Sequence, residues 1–233
     1  MSLKIKIGHW IGKKLIWFES LAQFERIGMY EKFYREEFFY NCMRFFSVNQ
    51  IEGDYLEFGV GGGSSLILAH KFTHIHGLDM HLYGFDSFQG QPKPEGIDVH
   101  SSFPEGLSAV SVEGVVNTLK QSGIGQSEYT LVPGFFDESL TSAKLKELGL
   151  KKAALVYLDC ALYEASVPVL RFVLPLLQTG SVISFNNWYT FNGDPERGEQ
   201  LALKQFLQQH PEIRLNDYLN FGWDGKSFIV KKD

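Results

Sequence analysis

Two short motifs of this chain carry residue types that can hold a nucleoside. The first, residues 55–65, reads Tyr-Leu-Glu-Phe-Gly-Val-Gly-Gly-Gly-Ser-Ser, which is typical of a buried strand that ends in a glycine-rich turn and opens a helix. The second, residues 83–88, reads Tyr-Gly-Phe-Asp-Ser-Phe and predicts another strand that ends near an acidic residue. In neighbouring parallel strands, such glycines let the backbone approach a ligand while the carboxylate binds ribose hydroxyls. The pair indicates a site for an adenosine-containing cofactor.

The residues around the glycine turn favour one such cofactor over another. A dinucleotide uses the spacing Gly-x-Gly-x-x-Gly, but after Gly59 and Gly61 the sixth position here is Ser64. Glu57, just before the turn, would repel a diphosphate and attract the sulfonium and ammonium groups of S-adenosylmethionine. The single carboxylate of that cofactor can use the helix N-terminus. These charges favour S-adenosylmethionine, and the alternative for Glu57 is a structural carboxylate that caps local amides.

Strands and helices that alternate along the chain are predicted to position these motifs. From residue 51 onward we predict strands near 55–59, 81–86, 128–133, 153–159 and 180–186. Helices are predicted near 64–73, 109–121, 138–148, 163–178 and 196–209. This alternation predicts an α/β fold with a doubly wound, mostly parallel sheet. Residues 212–232 predict a C-terminal hairpin that adds an antiparallel edge.

The first 50 residues are predicted to form a helical extension before the main domain of residues 51–233. Apolar side chains recur there at helical spacing, namely at Leu15, Phe18, Leu21, Ala22, Phe38, Phe39, Cys42, Met43 and Phe46. The extension has three candidate uses: to cover the active site, to form a homo-oligomer interface, or to rest on an anionic membrane surface. The first two are favoured, because Gly8 and Gly12 weaken a membrane helix.

Composition narrows the class of protein. The chain has 233 residues, a net charge of −5 and 44% apolar residues. This charge argues against nucleic acid as the main partner, because phosphate binding needs a basic face. Lysines recur too often near the start for a signal peptide or a transmembrane segment. We therefore expect a cytoplasmic protein that acts on a small molecule.

Two segments outside the motifs are candidates to border the acceptor. Residues 89–108 contain three prolines and no sustained periodicity. Because they leave the carboxyl end of the second strand, a lid is favoured over a disordered excursion. The aromatic group Trp188, Tyr189 and Phe191 is either a pocket wall or a packed loop.

Four segments of the chain resemble motifs of the macrocin O-methyltransferase family, which methylates macrolide sugars of the tylosin and mycinamicin type. They are residues 53–60, 83–90, 133–136 and 158–164, within a resemblance that extends over about residues 50–210. The resemblance implies a Rossmann-like class I methyltransferase fold, S-adenosylmethionine as donor, methylation of a hydroxyl group and, in that family, dependence on magnesium. The predicted cofactor-binding residues are Glu57, Phe58, Gly59, Gly61, Ser64, Asp86, Ser87, Phe88, Gly134, Phe135 and Asp159.

The catalytic pattern implied by this resemblance is incomplete. The family has Asp-x-Asp before Leu-Tyr-Glu and a paired Asp-Asp after the fifth strand, which supplies the oxygen ligands that magnesium prefers. This chain keeps Asp159 but has Ala161 at the second position and Asn186-Asn187 in place of the pair. Three of the four carboxylates are absent, so we predict no metal ligands and weak or absent magnesium binding.

Three consequences of this departure stay open. Asp159 can act as general base, with Asn186 and Asn187 as hydrogen-bond donors that position the acceptor. His100 in the predicted lid can supply the base instead, while His74, His76 and His210 are interpreted as solvated surface residues. Alternatively, the chain binds the cofactor without catalysis, as a partner subunit. The leading prediction is O-methylation of a small hydroxylated metabolite or sugar, and a nicotinamide-dependent oxidoreductase is the less favoured enzyme.

Overall fold

The protein is described from a computed structural model, which covers residues 32–100 and 102–232. Its strands are β1 (Asp54–Phe58), β2 (Leu82–Asp86), β3 (Tyr129–Pro133), β4 (Ala153–Leu158), β5 (Val182–Phe185), β6 (Ile213–Phe221) and β7 (Gly225–Lys232). They form one seven-stranded sheet in the order β3-β2-β1-β4-β5-β7-β6. The first five strands are parallel, and β7 runs antiparallel to both β5 and β6. The predicted mostly parallel sheet with a C-terminal hairpin is confirmed.

Helices cover both faces of this sheet. They are α1 (32–49), α2 (Ser64–His76), α3 (Val112–Gln121), α4 (Phe136–Ser139), α5 (Ser142–Leu148), α6 (Tyr163–Val173) and α7 (Gly198–Gln209). The helix predicted at 138–148 is divided, because Leu140 leaves the helical region and Thr141 starts α5 by accepting a hydrogen bond from the Lys144 amide. The helix predicted at 163–178 ends at Val173 and continues as one 3₁₀ turn that contains Pro175.

The register of the central strands brings the sequence motifs together. Phe58 at the end of β1 pairs with Phe85 of β2 and with Leu158 of β4, and Leu158 pairs with Phe185 of β5. The residues that follow these strand ends therefore emerge side by side at one edge of the sheet. In a doubly wound fold this carboxyl edge is where ligands bind.

Helix α1 is part of the core. Its residues Phe38, Phe39, Cys42, Met43 and Phe46 are at most 1% exposed, as the helical spacing predicts. Phe38 stacks on Phe221 with ring centroids 4.0 Å apart. The predictions for Leu15, Phe18, Leu21 and Ala22, and the interface proposed for the start of the chain, lie outside the described residues, and the domain boundary at residue 50 stays a prediction. Within the described residues, none of the helices has the length and apolarity needed to cross a membrane.

Candidate active site

A cleft of about 1260 Å³ opens at the carboxyl edge of the central strands. The predicted site residues that line it are Gly59, Gly61, Ser64, Asp86, Ser87, Phe135, Asp159, Asn186 and Asn187. The lining also includes residues that sequence reasoning missed, namely Arg35, Ser65, Asp98, Trp223 and Asp224. The volume exceeds that of a typical pocket for a single small ligand, so a cofactor and an acceptor fit together.

The glycine turn after β1 combines close packing with open backbone. A Cβ on Gly59 would lie 2.2 Å from the carbonyl oxygen of Asp159, so only glycine allows the two strand ends to approach. At Gly61 and Gly62, in contrast, a Cβ would meet no atom within 4 Å and would project into the open cleft. Helix α2 begins at Ser64 and no side chain caps its first amides. The exposed backbone of the turn and the uncapped amides at the start of α2 can donate hydrogen bonds to the carboxylate of S-adenosylmethionine.

Asp86 fixes the conformation of this turn. Its Oδ2 accepts hydrogen bonds from the amides of Val60 (2.7 Å) and Gly61 (3.1 Å), and its Oδ1 accepts one from Phe88 (2.8 Å). A carboxylate offers about four acceptor positions. Oδ1 therefore retains capacity for one further donor, such as a ribose hydroxyl.

Glu57 is completely buried behind the turn and does not line the cleft. Its carboxyl group accepts hydrogen bonds from the hydroxyls of Tyr55, at 2.9 Å, and Ser65. Burial raises the pKa of Glu57 to about 8; these two hydrogen bonds oppose the rise, and the charges of Asp159 and Asp86 add to it. At neutral pH Glu57 is therefore mostly protonated and uncharged. The sequence predicts that a charged Glu57 attracts the cofactor, and this charge forms only if the bound cation lowers the pKa of Glu57.

Three other predicted cofactor residues also lie behind the cleft lining. The Phe58 ring is buried and stacks on Phe85 at 4.8 Å. Phe88 has a φ of 56° and packs against the core. Gly134 donates its amide to the carbonyl of Asp86 at 2.9 Å. These residues shape the loops, and their contact with a cofactor stays a prediction.

The predicted catalytic residues Asp159 and Asn186 are joined directly. The side-chain amide of Asn186 donates to Oδ1 of Asp159 at 2.8 Å, and its carbonyl oxygen accepts from the Tyr157 hydroxyl at 2.9 Å. Burial raises the pKa of Asp159, whereas the nearby Arg35 charge and the Asn186 hydrogen bond lower it. Asp159 thus lies at the cleft wall with its carboxyl group positioned by Asn186 and with a pKa above its ordinary value. Both properties suit a general base.

Two charged residues from distant parts of the chain complete this wall. Arg35 of α1 lines the cleft, and its positive charge also acts on Asp224 in the turn between β6 and β7. Burial raises the pKa of Asp224 to about 6, although a hydrogen bond of 3.0 Å from the Thr190 hydroxyl opposes the rise. Asp224 is therefore a second carboxylate of the site that titrates near neutral pH.

Asn187 is positioned from behind by a buried carboxyl group. Its backbone amide donates to Oε2 of Glu199 at 3.0 Å. Burial raises the pKa of Glu199 well above its ordinary value. Glu199 therefore holds the loop after β5, which carries Asn186 and Asn187.

The oxygen donors at this wall do not fit a magnesium ion. Magnesium prefers several carboxylate or water oxygens in octahedral geometry. Here Ala161 offers no side-chain oxygen, and the Asn186 carbonyl is occupied by Tyr157 while its amide hydrogens face Asp159. Arg35 adds a positive charge to the same cleft. At the four positions where the family pattern has carboxylates, only Asp159 keeps one, and it lies beside a guanidinium, which makes a poor magnesium ligand set.

The segment 89–108 borders the cleft and is fastened to the domain. Asp98 is buried and accepts hydrogen bonds from the amides of Tyr163 (2.8 Å) and Glu164 (3.0 Å) at the start of α6. The Arg197 guanidinium donates to the carbonyl oxygens of Ile97 and Val99 at 2.6 and 3.0 Å. This arrangement has the form of a lid that is held at its middle.

The aromatic group after β5 and the lid histidine pack away from the cleft. Trp188 contacts Phe228 with ring centroids 5.2 Å apart, and Phe191 is buried beneath the Arg197 guanidinium. The His100 ring packs against the Phe191 ring with ring centroids 5.3 Å apart. Neither Phe191 nor His100 lines the cleft, so the geometry favours the packed loop over the pocket wall and Asp159 over His100 as base.

Comparisons with known proteins identify the fold. No curated protein matches the chain. Solved structures that share the fold include the O-methyltransferase NovP, with a TM-score of 0.69 and 21% identity over 84% of this chain and 79% of that chain. The calicheamicin methyltransferase CalS11 has a TM-score of 0.67 and 23% identity over 83% of this chain and 77% of that chain. An apo structure of CalS11 describes it as a TDP-rhamnose 3′-O-methyltransferase. TomG from Streptomyces achromogenes, solved with S-adenosylmethionine, is also similar, with a TM-score of 0.56 and 16% identity over 84% of this chain and 79% of that chain.

The family of the chain follows from its sequence as a whole. The family model for macrocin-O-methyltransferase (TylF) matches residues 33–210, which include the glycine turn, Asp86, Asp159 and Asn186. The match also includes α1 from residue 33, and therefore Arg35. The chain belongs to the macrocin-O-methyltransferase family of S-adenosylmethionine-dependent O-methyltransferases.

Proposed function

We propose that the protein methylates a hydroxyl group of a small metabolite or sugar without a catalytic metal ion. The observation that carries this proposal is the cleft wall in which Asn186 holds Asp159 beside Arg35. When bound, S-adenosylmethionine supplies an electrophilic methyl group on a sulfonium. Membership of the family removes the oxidoreductase alternative.

The protein's own residues then handle the acceptor proton. Asp159 would accept the hydroxyl proton of the acceptor, while the bound donor would supply the methyl group to the acceptor oxygen and be released as S-adenosylhomocysteine. Asn186 holds Oδ1 of the Asp159 carboxylate, so that Oδ2 is the oxygen that would take the proton. Arg35 lowers the pKa of Asp159 and so favours its ionised form, as the charge of a metal ion would.

A sugar-sized acceptor is supported by the volume and rim of the cleft. The volume of about 1260 Å³ leaves room beside a nucleoside cofactor. Trp223, which is 71% exposed, stands at the rim and offers a flat apolar face on which a sugar ring can stack. CalS11, which shares the fold, acts on a nucleotide-linked sugar according to its description.

The second candidate function is cofactor binding without turnover. It is favoured by the absence of three family carboxylates at Ala161, Asn186 and Asn187. The two functions share the glycine turn and differ in whether Asp159 receives a proton. They are separated by turnover.

The test combines calorimetry with an acceptor screen. We expect S-adenosylhomocysteine to bind with the same affinity in magnesium and in EDTA, and a panel of hydroxylated sugars and nucleotide sugars to be methylated in EDTA. Turnover that requires magnesium would contradict the metal-independent mechanism. Cofactor binding with no turnover over a broad panel would support the binding function, and no cofactor binding would overturn both.

A further inference from the structure

Two histidines and a glutamate converge at the opposite edge of the sheet from the cleft. His70 and His74 lie one turn apart on α2, and Glu128 immediately precedes the amino end of β3. The Nε2 atoms of both rings are 2.9 Å from Oε1 of Glu128. The three side chains place one ligand atom each within 4.8 Å of the others. No part of the methyl-transfer mechanism uses this cluster.

The carboxylate of this cluster is held in place by a backbone amide. Oε2 of Glu128 accepts a hydrogen bond of 2.7 Å from the Gly125 amide, which leaves Oε1 directed at the two rings. The rings are 4.2 Å apart and inclined by 38° because residues at i and i+4 share a helix face. Such support behind a ligand is characteristic of metal sites.

We propose that His70, His74 and Glu128 bind a divalent transition-metal ion of the zinc class. Two imidazole nitrogens and one carboxylate oxygen match the donors of zinc, which bind at about 2.0–2.1 Å. Tetrahedral ligands at that distance lie about 3.3 Å apart. The 2.9 Å contacts therefore need to open by only a few tenths of an ångström, and water takes the fourth position.

The ion would act as a cross-link within the fold. His70 and Glu128 are 58 residues apart in sequence, and the ion would tie α2 to the outer strand β3. Because it binds the folded chain and not the dispersed ligands of the unfolded chain, it raises the free energy of unfolding. Its removal leaves the cleft intact.

The test is a metal titration of the full chain without a histidine tag, after treatment with chelator. We expect one equivalent of Co²⁺ to give the visible absorption of a tetrahedral site, Zn²⁺ to displace it, and zinc to raise Tm. His74→Ala and Glu128→Gln should each weaken binding at least 30-fold. His74 is 61% exposed, so its removal leaves the fold intact.

His210→Ala is the matched control, because His210 pairs with Glu212 at 3.3 Å but has no second histidine. It should bind cobalt as the parent does. The proposal is overturned if the parent binds less than one equivalent, if His74→Ala and Glu128→Gln bind as tightly as the parent, or if a thiolate-to-cobalt band shows that the ion is held by cysteine. Cofactor binding, measured in parallel, reports separately on the proposed function.

Discussion

The side-chain amide of Asn186 and the carboxylate of Asp159 face each other across 2.8 Å. With the aspartate that the family pattern has at position 186, two carboxylates would meet at this distance and would need a cation between them. The Asn186 amide replaces this repulsion with a hydrogen bond, and its carbonyl oxygen accepts a hydrogen bond from the Tyr157 hydroxyl. Asparagine at position 186 thus leaves a satisfied polar network around one carboxylate, Asp159.

Asp159→Asn should lower turnover strongly while cofactor binding is kept. The substitution removes the proton acceptor but keeps the size of the side chain, so kcat should fall roughly 10²–10⁴-fold. Stopped assays of S-adenosylhomocysteine formation, with calorimetry on the same sample, separate the two effects. Asp224→Asn is the matched control, since Asp224 lines the same cleft. A larger loss of kcat in Asp224→Asn than in Asp159→Asn would move the base to Asp224.

Arg35→Met should shift the acid limb of the pH–kcat profile to higher pH. Arg35 lowers the pKa of Asp159, so removal of its charge raises that pKa and leaves less ionised base at a given pH. Arg35→Lys keeps the charge and should shift the limb less. The measurement is kcat between pH 5 and 9 for the three proteins. An unchanged limb in Arg35→Met would show that Arg35 does not act on the base.

The fold was predictable because its signals are local. Buried parallel strands such as β4 appear as uninterrupted apolar runs between polar or glycine-rich turns, and their alternation with helices indicates a parallel sheet. The glycine turn and Asp86 were predictable for the same reason, since each lies at the end of one strand. The strand ends were placed within about two residues.

The remaining site residues carry no local signal. Arg35 lies on a helix whose apolar face identifies only its core side, and Asp224 lies in a hairpin turn where an aspartate is ordinary. The role of Asp98 depends on the start of α6, 65 residues later in the chain. The pairing of His70 with His74 follows helix spacing, but its meaning depends on Glu128 from another element. Such contacts become visible only when the strands are assembled.

Binding of S-adenosylmethionine at pH 7 should release a proton from Glu57. The pKa of this group is about 8 in the unliganded protein, and a nearby sulfonium and ammonium favour its ionised form. Calorimetry in buffers of different ionisation enthalpy should give a release of up to about 0.9 proton. Glu57→Gln, which mimics the protonated group, should release none. Equal proton release from both proteins would contradict the assignment.

The same group should make stability depend on pH. Because burial raises the pKa of Glu57 from 4.5 to about 8, its protonated form stabilises the fold fully below pH 4.5, and this contribution is lost as pH rises through 8. The free energy of unfolding of the parent, relative to Glu57→Gln, should therefore fall between pH 5 and pH 9. Urea titrations at several pH values measure this difference. A constant difference would show that Glu57 is ionised throughout.

Asp98→Ala should loosen the lid. The side chain accepts the first two amides of α6, and its loss leaves both without their partner, at a cost of about 1–2 kcal/mol. Hydrogen exchange of residues 89–108 should become faster, and KM for the acceptor should rise because the lid borders the cleft. Glu105→Ala, at an exposed acidic position of the same segment, should leave exchange and KM unchanged. If both variants exchange at the rate of the parent, the Asp98 contact does not hold the lid, and Arg197, which donates to Ile97 and Val99, is then sufficient to anchor it.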